Sequence, residues 1–258
     1  MTNFKNFFRL SLCLVIMGTS IPLLAQPDLS GYWMISFGPI PPQREATAEE
    51  QAMIDALPSG TLLLADSGLR EFPEGDFGGM QITEAARQHA ATYDPSVQVE
   101  LGSTCQPPSI IYSMQGPFPM EIYQGRDLII IKMEYFDVVR IIHMNMESHP
   151  NNLPATVSGH SIGRWEGDTL VVDTVGIRES TFLNNGLDHT ENMHLVEHMR
   201  LSEDGETLLI TQLYEDPDVF TGRSARLIPL NKGGIDDVVW PYDCDPSYGA
   251  AIDSRDQN

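Results

Sequence analysis

The chain has 258 residues, of which 15 are basic and 36 acidic, giving a formal net charge of −21. So large an excess of carboxylates argues against nucleic acid or an anionic membrane surface as a partner. The length suits one large domain or two small ones and is ample for a sizeable core.

Residues 1–25 read as a secretory signal. Lys5 and Arg9 supply the basic start, Leu10 to Leu24 are largely apolar, and Leu23-Leu24-Ala25 offers a small residue at the cut. Gly18, Thr19, Ser20 and Pro22 interrupt the run before it reaches the ~18–20 clean apolar residues of a membrane anchor. Cleavage is therefore expected after Ala25, with no membrane insertion afterwards and a periplasmic or secreted destination. Two bases and no acids leave with the signal, so −21 becomes −23. Cys105 and Cys244 survive cleavage, and in an oxidising compartment such a pair is expected to form a disulfide. Neither has a CxxC companion that would suggest a metal pair.

Residues 26–108 are expected to form a first strand, two helices and loops packed on a barrel. The strand opens at Gly31-Tyr-Trp33, Pro39, Pro41 and Pro42 break structure, and Thr47-Ala-Glu-Glu50 is a capping box for a helix to about Leu57. Residues 58–80 read as loop. Thr83 begins a second short helix ending near Tyr93.

Residues 109–245 read as a meander of strands: Ile110–Met114, Met120–Tyr123, Leu128–Met133, Val138–Met144, His160–Trp165, Thr169–Val175, Met193–Leu201, Thr207–Tyr214, Ala225–Leu230 and Val238–Trp240. Short strands at hairpin spacing predict a mainly all-β fold, an antiparallel β-barrel or strongly curved sandwich with two short N-terminal helices. Residues 246–258 read as a flexible tail.

Within this region the run Gly159-His-Ser-Ile-Gly-Arg-Trp-Glu-Gly-Asp-Thr-Leu-Val-Val-Asp-Thr174 predicts a hairpin turning at Glu166-Gly167. That turn would set His160 opposite Asp173, a pairing in which the carboxylate orients the ring and raises its pKa. Together with Asp28-Leu-Ser-Gly-Tyr-Trp, Tyr93-Asp-Pro-Ser, Cys105-Gln-Pro-Pro and Pro119-Met-Glu-Ile, the run resembles a large group of secreted bacterial proteins. That group carries no assigned activity, so the likeness transfers no catalytic residue. The early Gly-x-Trp and the strand meander also look like the lipocalin and calycin barrels, which implies a cup for a small apolar ligand.

Counting outward from Asp204-Gly205 pairs Leu201 with Leu208, Met199 with Ile210, Glu197 with Gln212 and Leu195 with Tyr214. On that apolar face Glu197 is either a desolvated general acid or a carboxylate satisfied by an arginine or by Gln212. The other face pairs His194 with Glu215. His194-Leu-Val-Glu-His198 spells the inverted zinc-protease motif, but on a strand the two histidines stand about 13 Å apart, so no metal is expected. Glu121, Tyr123 and Arg140 interrupt apolar strands and are expected to point into a cavity. His143, His149 and His189 read as ordinary strand-end or loop residues.

The candidate catalytic residues are thus His160, Asp173 and Glu197; the candidate ligand-binding residues are Tyr214, Gln212, Arg140, Tyr123, Glu121, His194 and Glu215. No glycine-rich phosphate loop follows a strand, and no cofactor is expected. The reading is an exported protein binding a small, largely apolar molecule in a barrel cavity edged by His, Asp and Glu. The alternatives are a cofactor-free acid–base enzyme (lyase, hydratase or isomerase) acting on such a molecule, and a structural module of the envelope.

Overall fold

The computed structural model describes residues 26–65, 72–94 and 105–247. The expected signal segment, and the tail from residue 248, lie outside the described residues.

The described elements in chain order are β1 (Gly31–Ile35), α1 (Ala48–Asp55), β2 (Leu62–Leu63), α2 (Glu84–Ala90), α3 (Ile110–Ser113), β3 (Met120–Gln124), β4 (Leu128–Met133) and β5 (Val139–His143). Then follow β6 (His160–Glu166), β7 (Thr169–Val175), β8 (Ser180–Leu183), β9 (Leu187–His189), β10 (His194–Leu201), β11 (Thr207–Glu215) and β12 (Ser224–Lys232). Nine strands close into a barrel in the order β1-β3-β4-β5-β6-β7-β10-β11-β12, the ring completed by β12 against β1. The fold is all-β in the main, as its alternation of apolar and polar residues predicts.

That alternation fills the interior. Trp33, Ile122, Ile131, Ile142, Val172, Leu195, Met199, Leu208 and Ile210 point inward and are at most 2% exposed. Gly163 is a glycine for want of room: a Cβ there would stand 2.5 Å from Met144 Sδ and 2.8 Å from Ile142 Cγ2. Outside the wall α1 packs Met53 on Leu209 and Leu227. The helix starts at the expected capping box, Thr47 Oγ1 accepting from Glu50 N and Glu50 Oε2 from Thr47 N. Cys105 and Cys244 are joined, Cα atoms 5.8 Å apart. Among the described residues no helix is long and apolar enough to cross a membrane.

Four local expectations are corrected. Ile110–Met114 is not a strand; Ile110–Ser113 is helix α3, with Ile110, Ile111 and Met114 buried. A short apolar run carries no period that tells helix from strand, and here packing across the barrel end decides. Val238–Trp240 forms no strand, and Val238 and Trp240 are exposed. The β8–β9 hairpin and short β2 have weak strand signals and went unpredicted. Finally, the ring is antiparallel except at one seam, where β5 and β6 run parallel through Ile142↔Ser161 and His143↔Ile162. Residues 144–159 between them make the crossover that a parallel pairing needs.

Candidate functional site

The β10–β11 hairpin has the register its Asp204-Gly205 turn predicts, including Glu197↔Gln212 and His194↔Glu215. The β6–β7 hairpin instead turns one residue later, at Gly167-Asp168, so Glu166 faces Thr169 and His160 faces Val175. Each partner is displaced by two residues, which preserves the faces. His160 and Asp173 therefore share the outer face as diagonal neighbours, and Glu197 lies on the other side of the wall. The polar residues expected around one cavity divide into two groups.

The inner group is fully buried. Arg140 of β5 reaches Glu197 of β10 through Nη2, donates from the same nitrogen to Thr174 Oγ1 at 2.9 Å, and donates from Nε to Ser161 Oγ at 3.1 Å. Glu197 Oε1 accepts from Gln212 Nε2 at 3.0 Å, and Gln212 Oε1 accepts from the Tyr214 hydroxyl at 2.7 Å. Met114, just past α3, offers its sulfur to Arg140 at 3.3 Å. Arg140, Gln212 and Tyr214 thus point inward, whereas Tyr123 is half exposed and Glu121 shares its outer face, because both alternate with the buried Met120 and Ile122. Glu197 is a carboxylate held by a guanidinium and an amide.

Ser161 carries a further consequence. Gly159-His-Ser-Ile-Gly163 has the letters of a nucleophile elbow. The structure places Ser161 inside a strand, fully buried and bonded to Arg140 and Thr174. It stands on no strand-to-helix turn and faces no base.

The outer group forms a row along one rim, where β6 and β10 begin and β7 and β11 end. His149 Nδ1 lies 2.7 Å from His160 Nδ1, and His149 Nε2 lies 2.9 Å from Asp173 Oδ1. Asp173 Oδ2 is 3.1 Å from His194 Nε2, and His194 Nδ1 is 3.6 Å from Glu215 Oε2. Glu215 Oε1 accepts from Arg223 Nε. At the opposite end the His143 ring stacks on His160, centroids 5.0 Å apart. Asp173 and His194 are about a third exposed (35% and 36%), so the row is open to solvent.

Because a carboxylate only accepts, both nitrogens facing Asp173 carry hydrogen. Between His149 Nδ1 and His160 Nδ1 one nitrogen must donate and the other accept, so the two rings cannot both be fully protonated. Their 2.7 Å separation is a hydrogen-bond length, shorter than the ~3.3 Å between two nitrogens bound to one tetrahedral zinc at 2.0–2.1 Å. Among the described residues no three or more His, Cys, Asp or Glu side chains converge to hold a metal ion.

The row drives proton affinities apart. The hydrogen bond from His194, opposed by burial and aided by His149, brings Asp173 down to about 2. The same bond raises His194 against its own desolvation. Burial, then the nearby His149 and His143, lowers His160. The hydrogen bond from Arg223 lowers Glu215.

Arg223 also lines a cavity of about 240 Å³ beside the start of β12, with Leu62, Met80, Phe220, Gly222 and Ser224. Sequence reasoning missed His149, which sits in an aperiodic crossover with nothing to mark its direction, and it missed Arg223 and Ser224. The expected His194–Glu215 pair, with His160 and Asp173, pointed towards this rim.

Compared with known proteins, the chain matches no protein-family model and no curated protein.

Proposed function

We propose that the chain is an exported protein that binds a small, largely apolar molecule at the rim of its barrel, in the cavity that Arg223 shares with the histidine–carboxylate row. One observation carries this reading: a cavity of about 240 Å³ with Leu62, Met80 and Phe220 in its walls is edged by Arg223, the last member of a row of hydrogen bonds and ion pairs through His, Asp and Glu. Its lining joins the apolar Leu62, Met80 and Phe220 to the polar Gln81, Arg223 and Ser224, and a concave site with a few fixed polar groups suits a small molecule. The signal-like first residues and the disulfide support export. The likeness to secreted bacterial proteins points the same way.

Native mass spectrometry of the mature protein purified from its own periplasm tests this reading. A recurring small apolar adduct, lost in a Gly222→Leu variant, supports it. A clean apo mass from wild type, with no exchange of added apolar compounds, points instead to a structural module.

A second reading has its own support. His160 is lowered and His194 raised within one hydrogen-bonded row, the pattern by which one site holds both a base and an acid. In that reading the bound molecule undergoes cofactor-free proton transfer. Turnover of the extracted ligand by wild type, reduced at least tenfold in His160→Gln and His194→Gln, is the expected result.

A further inference from the structure

We infer that the outer face of β3, β4 and β5 docks a second copy of this chain. The two faces meet about a two-fold axis, with Glu121 of each copy against Lys132 of the other.

Strand alternation builds the face. Met120, Ile122, Ile129, Ile131 and Ile142 point into the core. Tyr123 of β3, Leu128 and Ile130 of β4, and Val139 and Ile141 of β5 therefore point outward. Tyr123 stands opposite Ile130 and Ile130 opposite Ile141, so apolar side chains run unbroken across three strands. Tyr123, Leu128, Val139 and Ile141 are between 39% and 51% exposed. The solvated face of an antiparallel sheet is ordinarily polar, and contiguous apolar surface marks an interaction site. Elsewhere the barrel covers apolar outer positions itself, α1 packing Met53 on Leu209 and Leu227.

Two observations choose the occupant. Each of these strands is paired on both sides within the closed ring, so no extended peptide can add to an edge here. A partner must instead bring an apolar face of its own. The second observation is charge. In a chain with 15 basic and 36 acidic residues, this face carries one carboxylate, Glu121, and one ammonium, Lys132, set opposite each other in register. That balance removes the repulsion that two strongly acidic copies otherwise meet, and it offers no match to a highly charged partner. A two-fold rotation turns it into self-complementarity, the requirement of an isologous contact. Lys132 Nζ spends one of its three donors on Val239 O at 3.4 Å and has two more for a carboxylate.

Area sets the strength. Three strands about 4.8 Å apart and about five residues long span roughly 15 by 17 Å. Standard interfaces bury about 800 Å² per partner, so this contact is weak, with a dissociation constant of roughly 10–100 µM.

The test is sedimentation velocity of the mature protein from about 1 to about 300 µM, a range that brackets that constant. Wild type is expected to pass from monomer to dimer. Ile141→Glu should raise the dissociation constant at least about tenfold, since it buries a charge in the contact. Glu121→Lys and Lys132→Glu should each weaken self-association by a similar factor, because like charges then face each other across the axis. An equimolar mixture of those two variants should dimerise about as tightly as wild type, since every facing pair is again of opposite sign. These side chains lie outside the core, and circular dichroism checks that each variant folds. Wild type that stays monomeric throughout the range, or a dimer that Ile141→Glu leaves intact, overturns the inference. A mixture no tighter than its components overturns the two-fold pairing. Monomers that float with phosphatidylcholine vesicles, and lose this in Ile141→Glu, replace the second copy with a lipid surface.

Discussion

Arg140 and Glu197 are 57 residues apart in sequence and meet inside the barrel, both side chains with no exposure to solvent. Breaking such a pair leaves an uncompensated buried charge, which typically costs about 3–5 kcal/mol. Arg140→Met and Glu197→Gln are each expected to lower unfolding free energy by about that much in urea titrations. The double variant should lose clearly less than the two single losses combined. Simple additivity would show that the two groups are stabilised independently.

The pH dependence of stability should carry two opposed contributions from the rim. Asp173, brought from 3.8 to about 2, contributes stability that is present above pH 3.8 and lost as pH falls through about 2. His194, raised above 6.5, contributes stability fully present below pH 6.5 and lost as pH rises through its folded value. Asp173→Asn should therefore cost about 1 kcal/mol near pH 5, after allowance for solvent screening of these part-exposed groups, and less near pH 8. An equal loss at both pH values would rule out ionic coupling of the pair.

His160 has the opposite sign. Its affinity for protons is lowered in the fold, so the unfolded chain takes up the proton first and stability falls as pH drops below 6.5. Its Nδ1 contact with His149 adds to this, because two protonated rings cannot keep a 2.7 Å approach. His160→Gln should flatten the acid limb of the stability curve between about pH 6.5 and 5. An unchanged limb would mean that His160 does not titrate in that window.

The disulfide closes a sequence separation of 139 residues, worth about 5 kcal/mol in the chain-entropy account. The paired change Cys105→Ala with Cys244→Ala should lower the unfolding free energy by up to that amount. A loss under about 1 kcal/mol would mean that residual structure already restrains the unfolded chain.

Gly163→Ala places a methyl against Met144 and Ile142, and overpacking of this kind costs about 1–3 kcal/mol. Chemical denaturation reads the loss directly. No loss would show that Met144 swings aside freely.

How far the sequence speaks depends on the signal each residue carries. Gly205, with φ +72°, marks its turn so firmly that all eight pairs of β10 and β11 follow from it. Gly167, with φ +66°, also marks a turn, but Gly-Asp in place of Glu-Gly as the central pair displaced the partners by two residues. Parity kept His160 and Asp173 on one face, so their association was legible although their direct opposition was not. The division of the polar set was legible on β10 and β11, where the apolar face carries Glu197 and the mixed face His194 and Glu215, but not on β6 and β7, where His160 and Asp173 share a face that the pattern does not mark as outer. His149 and Arg223 come from connections, where no periodicity exists, and both depend on how far the chain travels between strands.

The parallel seam gives the barrel a preferred place to open. Only two residue pairs join β5 to β6, whereas seven join β6 to β7. Arg140 compensates as a rivet: from β5 it reaches Ser161 on β6, Thr174 on β7 and Glu197 on β10, crossing the seam with side-chain bonds where backbone bonds are few. His143 and His160 stack over the same joint on the outside. The wall is thus latched from within by the side-chain bonds of Arg140 and from without by the stacked rings of His143 and His160, both placed where the backbone ladder of the ring is shortest.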